Sequence, residues 1–223
     1  MKIFCVRIGD KYGIEYENYL NRKLKDYELI WIREPFHQSV VLQWNKMMVM
    51  GLPLEEPVCV IDVDILLVND YKELFDTPIQ RGEFLSIHSW WRDNPCKING
   101  GFFKYYPIDC NPIYNKFMKD PQYWQSYYIK NKMTIGPVNG EQNFVYESVQ
   151  ELGLDIKTVP DEWVTRWAAD GIESDEWYKE IEARYVDKWI YKNGKFNPRI
   201  KLVHFTNSLN KPHNWKDYNA HIC

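Results

Sequence analysis

Two carboxylates interrupt the most hydrophobic segment of the chain. Residues 58–70 read VCVIDVDILLVND, with Asp62 and Asp64 near the centre. A buried ionised carboxylate that has no partner costs several kcal/mol. Side chains two positions apart on a strand point to the same side, so both acids can bind one ligand. The sequence therefore predicts a partner for them: a metal ion, a basic side chain, or water at the end of the strand.

The segments before these acids alternate between strand and helix. KIFCVRI and YELIWIRE have the apolar pattern of strands, and EYENYLNRKLK between them has helical spacing. HQSVVLQWNKMMVMGL predicts a long amphipathic helix, which leads into a single strand, PVCVIDVDILLV. The order β-α-β-α-β is typical of a parallel sheet with helices on its faces and ligands at the carboxyl ends of its strands. We therefore expect Asp62 and Asp64 at the ligand-binding edge.

The remaining segments predict further strands and helices. YKELF predicts a helical turn, EFLSIHSWW a strand that runs into an aromatic loop, and residues 111–130 one or two helices. In NGGFFKYYP, the paired glycines would let the backbone of a new strand approach a ligand closely. GPVNGEQNFVYESVQELG predicts a loop that enters a helix, with Glu141 and Gln142 in its first turn. LDIKTVP and RIKLVHF predict strands, whereas residues 170–197 give no clear prediction.

Composition limits the classes of protein that fit. The chain has 223 residues, 45% hydrophobic and 26% charged, which predicts one globular domain over residues 1–223. A net charge of -3 gives no field that would attract nucleic acid or an anionic membrane. No apolar stretch approaches the roughly 18 residues of a membrane span. The five cysteines form no CxxC pair, and the N-terminus has the pattern of a first strand, so a reducing, cytoplasmic location is expected.

Aromatic residues make up 16% of the chain, with ten tryptophans and sixteen tyrosines. They could form a large core, but neighbours on an extended chain face opposite sides, so Trp90 and Trp91 are hard to bury together. Exposed flat rings stack on sugars and nucleobases. We therefore expect the loop with Trp90 and Trp91 to contact a sugar or a nucleobase. In PDEWVTRW, Trp163, Arg166 and Trp167 are expected to pack against the protein.

Four motifs together resemble a known family. They are the strand with Asp-x-Asp, the Asn-Gly-Gly strand, the Glu-Gln helix start and a terminal His…Lys-Pro. In this order, over residues 2–215, they resemble glycosyltransferases of the GT-A fold. The chain is most similar to the retaining glycogenin-like and lipopolysaccharide galactosyltransferase-like enzymes, and more loosely to compact glycosyltransferases of large DNA viruses. The resemblance implies a Rossmann-like α/β fold, whose mixed, mostly parallel central sheet is flanked by helices.

The resemblance also implies a reaction and a metal. A hexose would move from a nucleotide-sugar, taken to be a UDP-sugar, to a glycan or protein-linked acceptor. Asp64 would bind a divalent ion directly, Asp62 would touch the ion or the ribose, and His204 would complete the shell. Two carboxylates and an imidazole suit Mn²⁺, with Mg²⁺ as a substitute. Lys211 would bind the diphosphate, although the spacing from His204 to Lys211 is one residue longer than the family pattern and the usual glycine after the histidine is replaced.

Further donor contacts follow from the same resemblance. The first strand and its loop, residues 7–12, would hold the nucleotide base, with Arg7 and Tyr12 as contacts. The residues implied to line the donor sugar are Arg81, Asn99 and Gly101, with Glu141 and Gln142 opposite. Acceptor contacts would come from the aromatic loops near His88, Trp90 and Trp91. Glu141 would stabilise the positive charge that develops on the sugar in a reaction with retention. Inversion would instead need a general base, such as Glu141 itself or Asp161.

Each of these interpretations has an alternative. DVDIL also resembles the Asp-x-Asp motif of haloacid dehalogenase-type phosphatases, although that motif normally lies on the first strand of the chain. A non-catalytic carbohydrate-binding domain could keep the fold without turnover. The two aspartates could be helix-capping or salt-bridged loop acids, and His204 a structural histidine. Residues 99–101 could form a plain turn, and Glu141 could simply favour the helix N-terminus.

Overall fold

Two groups of elements organise the part of the chain that the structure describes. The structure is a computed structural model, and it describes residues 1–91, 95–131, 133, 140–166, 175–205, 215 and 217–222. The first compact unit comprises Met1–Val63, Pro78–Ser89 and Asn94–Thr158, and the second comprises Asp64–Thr77, Trp90–Asp93 and Val159–Cys223. The expectation of one domain over residues 1–223 stays a prediction.

Eleven strands and eight α-helices lie within the described residues. The strands are β1 (Lys2–Val6), β2 (Glu28–Ile32), β3 (Val58–Ile61), β4 (Ile65–Leu67), β5 (Glu83–Ile87), β6 (Asn99–Tyr105), β7 (Asp155–Thr158), β8 (Val164–Arg166), β9 (Tyr191–Lys192), β10 (Lys195–Phe196) and β11 (Leu202–His204). The helices are α1 (Ile14–Lys23), α2 (Met47–Met50), α3 (Lys72–Asp76), α4 (Pro107–Lys119), α5 (Pro121–Lys130), α6 (Glu141–Glu151), α7 (Asp175–Glu182) and α8 (Tyr218–Ile222). Among these helices none has the length and apolar character that crossing a membrane requires.

The first unit is built on a six-stranded sheet in the order β2-β1-β3-β6-β5-β7. β2, β1 and β3 are mutually parallel, as are β5 and β7, whereas β6 runs antiparallel to both β3 and β5. The prediction of a mixed, mostly parallel sheet flanked by helices is confirmed. The carboxyl ends of β1, β2, β3 and β5 therefore share one edge with the amino end of β6.

The interior of the first unit is apolar and rich in aromatic rings. Every residue of β3 and β6 is buried, as two strands in the middle of a covered sheet must be. Trp44 stacks on Phe117 with ring centroids 5.4 Å apart, and Phe144 packs against both rings. This packing joins the segment before α2 to α4 and α6.

The long helix predicted for HQSVVLQWNKMMVMGL is wrong. A 3-10 helix covers Leu42–Lys46 and α2 adds only four residues, while Leu42 lies in the left-handed region with φ 39°. The buried Asn45 side chain accepts from the Phe36 N–H at 3.0 Å and donates to the Leu42 carbonyl at 2.9 Å. Gln125 accepts from the Val41 N–H at 2.8 Å. These side-chain bonds satisfy backbone groups that a helix would otherwise use.

The single strand predicted for PVCVIDVDILLV is also interrupted. β3 ends at Ile61, and the chain resumes as β4 in the three-stranded sheet β4-β11-β8 of the second unit. The Asp62 N–H still donates to the Gly101 carbonyl at 3.2 Å, and the Asp64 carbonyl accepts from the Phe205 N–H at 3.3 Å. The two acids therefore lie at the break, where the chain leaves one sheet and enters another.

The second unit contains residues 170–197, which the sequence pattern left without a clear prediction. α7 and the β9–β10 hairpin lie there, and β11 pairs antiparallel with β4 and parallel with β8. Rings of Tyr191, Phe196, Trp215 and His221 pack together, with Trp215 stacked on His221 at 5.1 Å. The second unit is thus packed around a sheet and an aromatic cluster of its own.

Candidate functional site

A buried lysine organises the residues at the end of β3. The Lys46 side chain is only 2% exposed, and its Nζ lies 2.5 Å from Asp62 Oδ1. The same nitrogen donates to the Gly100 carbonyl at 2.7 Å and lies 3.9 Å from Glu141 Oε2. Asp62, the first of the two acids, therefore has the basic side chain of Lys46 as a partner within the first unit. Lys46 was not among the predicted site residues, although a lysine inside the apolar run QWNKMMVM is unusual.

Glu141 is the first residue of α6 and is 4% exposed. Its Oε1 has no hydrogen-bond partner among the described residues. Burial raises the pKa of Glu141 to about 7, with the charge of Lys46 lowering it and that of Asp62 raising it further. Near neutral pH this carboxyl group therefore exists in both protonation states.

Gly100 allows the polar groups to come close to the backbone. A Cβ atom at this position would lie 3.2 Å from Glu141 Oε2 and 3.4 Å from Lys46 Nζ. The Gly100 N–H donates to Gln142 Oε1 at 2.9 Å. The glycine that the sequence suggested for close approach to a ligand is therefore surrounded by ionisable and amide groups.

Asn99 and Gly101 lie at the same edge, at the start of β6. Asn99 Nδ2 donates to Ser89 Oγ at 3.0 Å, and Asn99 Oδ1 accepts from the Gly101 N–H at 2.9 Å. Cys96 Sγ lies 3.5 Å from Gln142 Nε2. The structure therefore brings the predicted Asn99, Gly101, Glu141 and Gln142 together with Asp62, while their roles in binding stay predictions.

Arg7 and Tyr12 lie just beyond the carboxyl end of β1, beside β3. Arg7 Nε donates to the Tyr12 carbonyl at 2.9 Å, and its Nη1 lies 2.8 Å from Glu17 Oε1. The predicted base loop is thus fixed to a buried carboxylate on α1, which was not among the predicted site residues. Glu17 occupies an inward position of a helix, which is unusual for an acid.

Arg81 lies away from the edge of the sheet that holds Asp62, and its predicted role beside the donor sugar stays a prediction. Arg81 precedes β5, and Phe84 pairs with Tyr105, which in turn pairs with Val58 at the start of β3. The length of β3, roughly 13 Å, therefore separates this edge of the sheet from Asp62. Arg81 instead binds Asp109 through Nε, at 2.8 and 2.9 Å from the two carboxylate oxygens.

The expectation that Trp90 and Trp91 are hard to bury together is wrong, whereas His88 is partly exposed after β5. Trp90 and Trp91 are 5% and 6% exposed, and Trp90 Nε1 donates to the Val164 carbonyl at 3.0 Å. Both residues lie in a turn, so the alternation of an extended chain does not apply, and their rings meet edge to face at 5.7 Å. An acceptor role for them stays a prediction.

The residues of PDEWVTRW follow the packing expectation in part. Arg166 is buried, and Lys201 lies over the ring of Trp163 at 4.6 Å. Trp167 lies outside the described residues, and so does Lys211.

Asp64 and His204 come together in the second unit. His204 ends β11 and pairs with Ile65 of β4, so its Nε2 lies 3.9 Å from Asp64 Oδ1, with both side chains largely buried. Asp62 stands two residues before Asp64 in the chain. Asp62, Asp64 and His204 are a group of described residues whose carboxylate and imidazole atoms could hold one metal ion. Two oxygen donors and one nitrogen donor fit a divalent ion such as Mn²⁺.

The architecture matches solved structures of glycosyltransferases. The glycosyltransferase GlyE of Streptococcus pneumoniae TIGR4 matches with a TM-score of 0.61 and 11% identity, over 95% of this chain and 55% of that one. The bifunctional WbbM matches at 0.59 and 10%, over 100% of this chain and 49% of that one. Galactosyltransferase LgtC, solved with donor and acceptor sugar analogs, matches at 0.55 and 9%, over 100% of this chain and 95% of that one.

These matches show that the chain has the fold of GT-A glycosyltransferases. The chain spans about half the length of GlyE and WbbM. No protein-family model matches the sequence, and no curated protein sequence does. At 9% to 11% identity, the likeness is one of architecture. The likeness to viral enzymes stays a prediction.

Proposed function

We propose that this chain is a metal-dependent glycosyltransferase that moves a hexose from a nucleotide-sugar, a UDP-sugar, to a glycan or protein-linked acceptor. The observation that carries the proposal is the buried group at the end of β3, where Lys46 lies against Asp62, Gly100 and Glu141. Buried ionisable groups are costly to the fold, and such groups concentrate at functional sites. This group lies at the edge of the sheet where folds of this kind bind ligands.

In this proposal Asp62, Asp64 and His204 would hold Mn²⁺ or Mg²⁺, and the ion would bind the donor diphosphate. The bound ion would offset the negative charge that develops on the leaving diphosphate. The protein groups fix the geometry: Asp62 is oriented by Lys46, and Asp64 by its position at the start of β4 beside β11. Lys46 also supplies a positive charge that balances one of the two carboxylates.

Glu141 acts on the sugar in the same proposal. In its ionised form it stabilises the positive charge that develops at the anomeric carbon, and the departing phosphate oxygen accepts the proton of the acceptor hydroxyl. The product then keeps the anomeric configuration of the donor. Gln142 supports this arrangement, because its Oε1 accepts from the Gly100 N–H and so holds the start of α6 against β6.

Thermal unfolding tests the metal and nucleotide parts of the proposal. UDP with Mn²⁺ should raise Tm far more than UDP with EDTA, because only the folded protein binds the pair; ligand at 100 times its Kd stabilises by about 2.7 kcal/mol. Asp64→Asn should remove most of the metal-dependent shift and keep the fold. Asp187→Asn, an exposed change in the same unit, should keep the whole shift.

Equal shifts with Mn²⁺ and with EDTA would refute metal dependence, and no shift with any nucleotide-sugar or nucleotide would refute the function. Release of UDP from the donor, with and without added acceptors, separates an enzyme from a carbohydrate-binding domain of the same fold. An α-linked donor that yields a β-linked product would overturn retention.

A further inference from the structure

Two arginines share one buried carboxylate at the ends of β1 and β2. Arg7 directly follows β1, Arg33 directly follows β2, and Glu17 lies on α1 with 2% exposure. Arg7 Nη1 lies 2.8 Å from Glu17 Oε1, and Arg33 Nη2 lies 2.8 Å from Glu17 Oε2. Arg33 Nε also donates to Oε1 at 3.2 Å, which makes this contact bidentate. One carboxylate thus ties two strand ends to a helix.

Glu17 is ionised in this setting. Burial alone would raise its pKa, but the hydrogen bonds and charges of Arg33 and Arg7 outweigh burial and hold the pKa below its usual value. With two guanidinium groups and one carboxylate, the cluster carries a net charge of +1. This is a favourable charge beside a nucleotide that carries phosphates.

The cluster also fixes the loop that follows β1. Arg7 uses its Nε for the Tyr12 carbonyl at 2.9 Å while its Nη1 is held by Glu17. The Tyr12 ring packs edge to face on Tyr16, with centroids 5.0 Å apart. The chain of contacts therefore runs from Glu17 through Arg7 to the backbone of the loop.

The strand order places this cluster along the path of a nucleotide. β1 lies next to β3, and β2 lies next to β1, so the ends of β1 and β2 are about 5 and 10 Å from the end of β3. On the other side of β3 lies β6, whose start faces Glu141 and Gln142. A donor with its diphosphate at Asp62 and its sugar towards β6 would extend its nucleoside over β1 towards β2.

We propose that Glu17 is a positioning residue for the donor nucleoside: it holds Arg7, and with it the loop of residues 7–12, and it aims Arg33 at the nucleotide. The inference rests on the proposed function and goes beyond it, because it assigns the nucleoside end of the site to three charged residues. The Arg33 side chain is 56% exposed, so its guanidinium is accessible to a ligand while Glu17 holds one side of it. Without the carboxylate, two like charges would face each other and separate.

The test compares Glu17→Gln with wild type in UDP binding with Mn²⁺ by calorimetry and in steady-state donor turnover. The UDP Kd and the donor KM should rise about tenfold, the size of one lost charge-assisted hydrogen bond, while kcat at saturating donor stays within about twofold. Glu34→Gln, an exposed change beside Arg33, is the matched control and should keep wild-type KM. Glu17→Asp, which keeps the charge, should recover part of the affinity.

A second variant covers the case in which Glu17→Gln does not fold. Arg33→Gln alters an exposed side chain and should raise KM severalfold with kcat retained. If wild type binds UDP and both variants bind it equally well, or if kcat falls while KM stays constant, the inference is overturned and the proposed function stands. If wild type binds no nucleotide with Mn²⁺, the proposed function fails first.

Discussion

Replacing Glu141 by glutamine should change how the stability of the metal-free protein depends on pH. The folded-state pKa is about 7 and the usual value is 4.5, so the folded protein binds this proton more tightly than the unfolded chain does. Each unit of pKa difference corresponds to about 1.4 kcal/mol. The ionised carboxylate therefore costs the fold about 3 kcal/mol at pH values above the folded pKa.

The raised pKa of Glu141 decides whether stability rises or falls with pH. A raised pKa of an acid means that the contribution of Glu141 is most favourable below about pH 4.5 and is lost as pH rises to about 7. Glutamine at this position does not titrate. We therefore compare the unfolding free energies of wild type and Glu141→Gln. The wild-type value minus the mutant value should fall by about 3 kcal/mol from about pH 4.5 to about pH 7, and it should be constant above about pH 7.

Denaturant unfolding in EDTA over this pH range measures the difference directly. Glu151→Gln, an exposed change on the same helix, reports how much pH dependence an exposed glutamate contributes. A wild-type minus Glu141→Gln difference that stays flat, or that rises with pH, would refute the conclusion that burial outweighs the attraction of Lys46. Glu141 would then not titrate near neutral pH.

Two further predictions concern residues that the structure places away from their expected roles. Trp90→Ala should lower the unfolding free energy by about 3 to 5 kcal/mol, because it removes a buried ring and its bond to the Val164 carbonyl; a loss below about 1 kcal/mol in denaturant unfolding would contradict this burial. Arg81→Ala should leave UDP affinity unchanged in calorimetry and change stability little, since its pair with Asp109 is exposed on the arginine side; weaker UDP binding would support a donor role.

The fold was predictable because the strands are continuous apolar runs. KIFCVRI, YELIWIRE and PVCVI became β1, β2 and β3, and their order placed Asp62 at the carboxyl edge, as expected. The interruption after Ile61 was not predictable from the apolar pattern, because ILL is as apolar as the strand before it. β3 pairs with β6 and β4 pairs with β11, and both partner strands lie far along the chain. These pairings decide which sheet each of the two segments joins.

The predictions that differ from the structure concern segments whose conformation depends on contacts with residues distant in sequence. Side-chain bonds from Asn45 and Gln125 replaced the helical bonds expected in the segment before α2. Arg81 was assigned from the family resemblance, but the edge on which it lies depends on the direction of β5, which only the pairing with β6 fixes. Trp90 and Trp91 were read as extended, whereas a turn lets both rings face the interior.

Lys46 is a partner of Asp62 that its residue type did not predict. In an amphipathic segment a lysine normally indicates the solvent face, so its type suggested exposure; only the packing of β3, β6 and α6 around it places its charge against Asp62. Lys46 and Asp62 balance each other, so ionisation of Glu141 gives these three groups a net charge of -1. Either a positively charged sugar beside Glu141 or a proton on Glu141 would neutralise this net charge. The raised pKa of Glu141 and its proposed role on the sugar thus have the same physical cause, a buried carboxylate beside a lysine that Asp62 already neutralises.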